Sequence, residues 1–233
     1  MKFFEIFKNK HVVLPVIHVK NEELTFKNAN TAFEEGADGV FLINHHYNFK
    51  HLLNIYQKLR QEFKNQWIGI NCLDGDALDS FSIIPNDANG LWVDDAEIDE
   101  EKENQIYAKK VLNYFKQINW NGLYFGGVAF KYQRFVEDLD SAVKIAKNFM
   151  DVITTSGQGT GIAADIQKIK TMRNAAGDFP IAIASGITPE NISHYLPYAN
   201  CFLVSTGISK NFEELDKNKT HELIQNIRSF SIS

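Results

Sequence analysis

The sequence predicts an α/β protein, a (β/α)8 barrel of the TIM type that occupies residues 1–233 as one domain. Three observations point there. Short β-branched runs alternate with amphipathic helical segments eight times, and 233 residues suit one barrel better than two domains. The strand runs are apolar throughout rather than every second residue, as strands buried on both faces are. The last two strand-to-loop junctions, Ile181–Ile187 and Cys201–Ile208, each run from an apolar stretch into a small polar residue and a glycine. That is how the final βα units of a barrel look when they hold a phosphate. A doubly wound open sheet is the competing architecture; eight units favour closure.

The elements follow in order. The first strand is Val12–His18, then a helix over Glu22–Glu35 that Gly36 closes. Strand two, Gly39–Asn44, precedes a helix over Phe49–Phe63 with Leu52, Leu53, Tyr56, Leu59 and Phe63 on one face. Strand three is Trp67–Leu73, with a helix over Asp76–Ile84. Strand four is Gly90–Val93; the charged run Glu97–Glu103 leads into a helix reaching Ile118. Strand five, Gly122–Phe125, runs into Gly126-Gly127 and a helix over Val136–Phe149. Strand six is Asp151–Ser156, with a helix over Ala163–Ala176. Strand seven is Pro180–Ala184, and Thr188-Pro189-Glu190 reads as cap, first residue and first turn of a helix. Strand eight is Cys201–Ser205, and the last helix covers His221–Phe230.

Composition narrows the function classes. The net charge of -5 argues against nonspecific nucleic-acid binding, which needs a cationic face. No apolar stretch is long enough to span a membrane, and the N-terminal segment lacks the apolar core of a signal peptide. Cys72 and Cys201 sit in apolar runs with no CxxC spacing, so they read as buried small hydrophobes in a reducing compartment. A cytoplasmic location is the expectation. No cofactor motif is present, and no HxH or HExxH spacing supports a metal. Oligomeric state stays open, a homo-oligomer included.

In a barrel the chemistry sits where the strands end. The strongest cluster is the loop Gly157, Gly159, Thr160 and Gly161 together with Ser185, Gly186, Ser205, Thr206 and Gly207. Bare backbone there lets N–H groups converge on an anion. Candidate acid/base groups are Asp94 or Asp95, with His18 as alternate; His45 and His46 are further candidates, though as neighbours along a strand they cannot both face the mouth. Asp94 and Asp95 point to opposite sides of strand four, so one faces the mouth, and a single residue of register exchanges them. Either also suits a loop cap. Asn44 and Asn71 are candidate donors to substrate hydroxyls. Lys131 is a candidate for anion binding or, if desolvated, for a Schiff base.

Three stretches resemble a known family: Asp151–Gly161, Pro180–Ile192 and Phe202–Thr206. With Ile68–Leu73 and Asp76–Leu78, they are similar to the BtpA family. The resemblance implies a phosphate-binding (β/α)8 barrel. The family's founding member is associated with photosystem I biogenesis, so an assembly role is implied alongside an enzymatic one. This sequence departs from the family at strand two, where Ile43-Asn44 replaces a Glu-Asn pair. It departs again at strand five, where Gly126-Gly127 and Lys131-Tyr132 stand for an Asp and a Lys-His pair. Only Lys131 and Asn44 carry over.

The resulting expectation is an isomerase, epimerase or aldolase-type enzyme on a phosphorylated small molecule, a sugar phosphate or phosphoribosyl compound. The alternative is a non-catalytic phosphate-ligand binder or assembly factor. Bulk at Gly186 is expected to weaken the ligand and spare the fold.

Overall fold

The computed structural model describes residues 1–230. Eight parallel strands close into a barrel in sequence order. They are β1 (Val12–His18), β2 (Val40–Ile43), β3 (Ile68–Asn71), β4 (Gly90–Val93), β5 (Leu123–Gly127), β6 (Val152–Thr155), β7 (Ile181–Ala184) and β8 (Cys201–Val204). Closure comes from β1 against β8, with Val12 opposite Cys201 and Pro15 opposite Val204.

Helices α2 (Glu22–Glu34), α3 (Phe49–Glu62), α4 (Ala77–Ile83), α5 (Ile106–Gln117), α6 (Leu139–Ala146), α7 (Ile166–Ala176) and α8 (Lys217–Arg228) cover the outside. Their apolar stripes form one core with the outward strand residues, as Leu52, Ile55, Tyr56 and Leu59 of α3 do. The barrel interior is a second core rich in aromatics. Phe41 meets Trp67 and Phe125 edge-on, each with ring centroids 5.1 Å apart. Gly69 and Gly90 make room for those rings. The interior is thus filled with side chains below the mouth, where a cavity opens.

Four features differ from the sequence reading. A short helix, α1 (Lys2–Ile6), precedes β1, and its Phe3 sits with Phe7 under the barrel, Phe7 lying 5.4 Å from Trp67. Thr188-Pro189-Glu190 does not open a helix; only a 3-10 turn, Ile192–His194, forms. There the Asn191 side chain accepts from the Thr188 N–H and donates to Gly186 O, and Pro197 removes the next helical donor. Helix α8 starts four residues early because Asp216 caps it, accepting from Asn218 and Lys219 N–H groups. Gly126 and Gly127 belong to β5 itself.

The floor of the barrel repeats every second strand. Asp38, Asn89, Asp151 and Asn200 each precede an even-numbered strand. Each accepts a backbone N–H from the preceding odd strand: Val13 at 2.7 Å, Ile68 at 2.9 Å, Tyr124 at 2.9 Å and Ile181 at 3.2 Å. Arginines clamp three of them, Arg228 on Asp38, Arg60 on Asn89 and Arg173 on Asn200. A geometry repeated at this end of a barrel, away from the mouth, serves stability.

Candidate functional site

The mouth holds a cavity of about 200 Å³. One side carries His18, His45, Asp94, Lys131 and Trp92; the other carries Thr160, Gly161, Ser185, Ser205 and Thr206. The ends of β1, β2, β4 and β5 therefore face the ends of β6, β7 and β8 across one space.

Strand four settles which acid turns inward. Trp92 packs inside the barrel, so Asp94, two residues on, points into the mouth. Asp95 turns to the helix side and accepts the Glu97 N–H at 2.7 Å, the capping role. Asp94 accepts from Asn71 Nδ2 at 3.0 Å. Burial raises the Asp94 carboxyl above its ordinary value, while the Asn71 hydrogen bond and the charge of Lys131 pull it back.

Asn71 is buried at the end of β3, and its Oδ1 has no hydrogen-bond partner among the described residues. Asn44 has a different fate. Its amide donates to Asp74 Oδ1 at 2.5 Å and Tyr47 O at 3.0 Å, and its oxygen accepts from Leu73 N at 2.8 Å. It braces the loops after β2 and β3 and does not line the cavity.

His18 lies under its neighbours, stacked on His45 with centroids 5.2 Å apart and tilted against Phe212 at 4.0 Å. Burial first, then the charges of His45, Lys131 and His46, push its imidazole down to about 3. It is neutral in neutral water and offers hydrogen bonds rather than a proton.

Lys131 owes its position to a contorted loop. Ala129 and Tyr132 on either side have φ of 50° and 62°, and the Lys131 N–H donates to Ser156 Oγ at 2.8 Å. Lys168 of α7 holds this loop from behind, donating to Ser156 O at 2.7 Å and to Ala129 O. Burial lowers the Lys168 ammonium to about 8.

The glycine-rich loops are used differently from the sequence expectation. Gly186 has φ of +69°, and a Cβ there would overlap the backbone of Ala163. Gly157 packs against the Ile162 and Ala163 backbone, and Gly207 against Ile187, in the same way. Gly159 lies between Ile162 and Tyr132. The missing side chains of Gly157, Gly186 and Gly207 are filled by neighbouring backbone, so those three build the rim and do not line the cavity. A bulky residue at Gly186 therefore does not spare the fold. The cavity side belongs to Thr160, Gly161, Ser185, Ser205 and Thr206. Ser185, at φ of 106°, is the hub: its Oγ accepts the Gly161 N–H at 2.9 Å and donates to Gly159 O at 3.1 Å. The Thr160 N–H donates to Tyr132 Oη at 3.3 Å.

Sequence reasoning passed over Lys168 and Phe212; of the adjacent pair His45 and His46, the structure puts His45 on the cavity wall. Lys168 looks like any helix-surface lysine. Among the described residues, no group of three or more His, Cys, Asp or Glu side chains is placed to hold a metal ion. No described helix is long and apolar enough to cross a membrane. Cys72 and Cys201 are both buried and unpaired with each other.

A family model described as the BtpA family matches residues 23–229. The chain belongs to the BtpA family. A relative from Methanocaldococcus jannaschii, the uncharacterized protein MJ1115, is 26% identical over 172 residues, which is 67% of this chain. The match spans 63% of that relative's length. Among solved structures, this BtpA-family barrel is similar to phosphoribosyl anthranilate isomerase from Thermus thermophilus. The TM-score is 0.62 at 15% identity, covering 94% of this chain and 98% of that one. Tryptophan synthase subunit alpha from Legionella pneumophila gives a TM-score of 0.68 at 13% identity over 98% of this chain and 97% of its own. Thiamine phosphate pyrophosphorylase from Pyrococcus furiosus gives 0.63 at 13% over 95% and 97%. At these identities the likeness shows the fold alone.

Proposed function

We propose that the mouth binds a small phosphorylated sugar-type molecule and moves a proton on it. The observation that carries this is one cavity with two chemistries. Asp94, Lys131 and His18 stand on one side, and Gly161, Ser185, Ser205 and Thr206 stand at the phosphate position of a barrel on the other. The phosphate would rest on the Ser185, Ser205 and Thr206 rim. The fold neighbours are described as acting on phosphoribosyl and thiamine phosphate compounds, which suits that reading.

Asp94 is the base in this scheme. Its raised proton affinity brings it closer to neutral pH, where a general base works best. It would take a proton from carbon beside a carbonyl. Lys131 would stabilise the negative charge that develops on the carbonyl oxygen, and Asn71 would hold the Asp94 carboxylate in place. Isomerisation and epimerisation share that first step; in retro-aldol cleavage the same base would take the β-hydroxyl proton, and breaking the carbon–carbon bond would leave the same enolate. The volume of about 200 Å³ lies below the usual range of about 300–1,000 Å³ for drug-sized ligands, which favours a short sugar phosphate over a nucleotide.

The test is a thermal-shift screen with inorganic phosphate and a panel of sugar phosphates, followed by turnover assays on whatever binds. A shift with an organic phosphate and turnover that Asp94→Asn removes would support the reading. A second reading, ligand binding without turnover, draws on one observation: among the described residues, Asp94 is the only carboxylate lining the cavity. A bound sugar phosphate that is never converted would favour it.

A further inference from the structure

The mouth gathers three basic side chains, His18, His45 and Lys131, around one carboxylate, Asp94. His45 and Lys131 line the cavity with His18 and Asp94. His46 stands next to His45, ring centroids 5.5 Å apart, and Phe212 packs edge-on against His45 at 5.1 Å. Lys131 forms no ion pair among the described residues. Asp94 already accepts the Asn71 amide.

These groups oppose one another. Burial lowers the proton affinity of His45, and the charges of His46 and Lys131 lower it further. Lys131 acts on His18 in the same sense. Titratable groups of perturbed proton affinity gathered in a cleft mark a candidate functional site, and an anionic ligand would relieve the repulsion among these basic side chains. They also stand on the ends of β2 and β5, away from the β7 and β8 rim.

We infer that His45 and Lys131 form a second anion subsite, and that the ligand carries a second acidic group, a carboxylate or a second phosphate. This rests on the reading of the β7 and β8 rim as the phosphate grip. The first phosphate meets hydroxyls and backbone there; the second acidic group meets side-chain charge. The small cavity puts both groups on one short skeleton. An anion beside His45 draws a proton onto its imidazole, so binding is coupled to proton uptake. The groups that face His45 in this balance are His18, His46, Lys131, Asp94 and Tyr132.

The test is calorimetry on the full chain with inorganic phosphate, a pentose 5-phosphate, a pentose 1,5-bisphosphate and a pentonate 5-phosphate. One of the two doubly acidic ligands should bind about 10-fold or more tighter than the pentose 5-phosphate. Its binding heat should vary with buffer ionisation enthalpy in the sense of proton uptake. His45→Gln should remove most of that advantage and leave pentose 5-phosphate affinity within about 2-fold. The two doubly acidic ligands distinguish a second phosphate from a carboxylate. Pentose 5-phosphate binding with no gain from either second group overturns this inference alone. So does a gain that survives in His45→Gln. Failure of every phosphate to bind overturns the phosphate grip and this inference together.

Discussion

Asn71 Nδ2 donates to Asp94 Oδ1 across 3.0 Å, tying the end of β3 to the end of β4 at the cavity. Asn71 is fully buried, so its amide has no freedom to turn away. Burial drives Asp94 toward the neutral acid, while the Asn71 amide and Lys131 favour the carboxylate. Its proton affinity is thus set by two named neighbours acting against desolvation.

Asp94→Asn separates chemistry from binding. Turnover of the cognate sugar phosphate should fall about 10²–10⁴-fold, the usual worth of a general base, with ligand affinity little changed. The same substitution should raise the melting temperature at pH 7. A carboxyl raised in the folded state binds more protons there than in the unfolded chain, so its contribution to stability falls as pH rises from the ordinary value through the folded one. Asparagine escapes that loss, and its advantage should vanish below pH 3.8. Equal melting temperatures at pH 7 would mean that Asp94 is well solvated.

Asn71→Leu removes the hydrogen bond that favours the carboxylate. Asp94 should then titrate higher still, and the acid limb of the rate profile should move to higher pH. A limb that stays in place would assign that ionisation to another group.

The barrel and the inward strand ends are legible in the sequence because burial on both faces leaves continuous apolar runs. The choice between Asp94 and Asp95 is not, since one step of register exchanges them; Trp92 packing inside decides it. Gly157, Gly186 and Gly207 are visible as glycines, yet a glycine that admits a ligand and one that admits a neighbouring loop read alike. Asn44 looks free at a strand end and is consumed by Asp74 thirty residues away. The floor motif was open to reading: Ala37-Asp38, Ala88-Asn89, Met150-Asp151 and Ala199-Asn200 each precede an even strand.

Two rim substitutions should behave oppositely. Gly186→Ala puts a Cβ against the Ala163 backbone at a φ of +69°, so it should lower the melting temperature and solubility whether or not ligand is present. Thr206→Val removes a hydroxyl from the cavity edge and should keep the fold while weakening phosphate binding about 10-fold. Unchanged affinity in Thr206→Val would move the phosphate off this rim.

The floor clamps should carry stability without activity. Arg173 donates to Asn200 Oδ1 at 2.5 Å, Gly177 O at 2.6 Å, Tyr198 O at 2.8 Å and Phe179 O at 2.9 Å. Asn200→Ala deprives both the guanidinium and the Ile181 N–H of a partner. It should cost about 2–3 kcal/mol, seen as a drop of about 4–12 °C in melting temperature, with kcat unchanged. A loss of activity at full stability would contradict a purely structural floor.

Lys168 gives the last prediction a pH signature. Its ammonium is the strut behind the Lys131 loop, and burial lowers it from 10.5 to about 8. Between those values the unfolded chain holds more protons than the folded one, so this group's contribution to stability rises with pH. Lys168→Met loses both carbonyl contacts and should melt lower than wild type at pH 7.5. The deficit should widen as pH climbs from 8 toward 10.5, because only the wild type gains in that window. A solvated helix lysine would give no such trend. The variant should also bind the doubly acidic ligand more weakly, since the loop that carries Lys131 has lost its brace at Ser156 and Ala129. A constant deficit across the pH range, measured by chemical denaturation, would place Lys168 in solvent and remove it as a strut of the site.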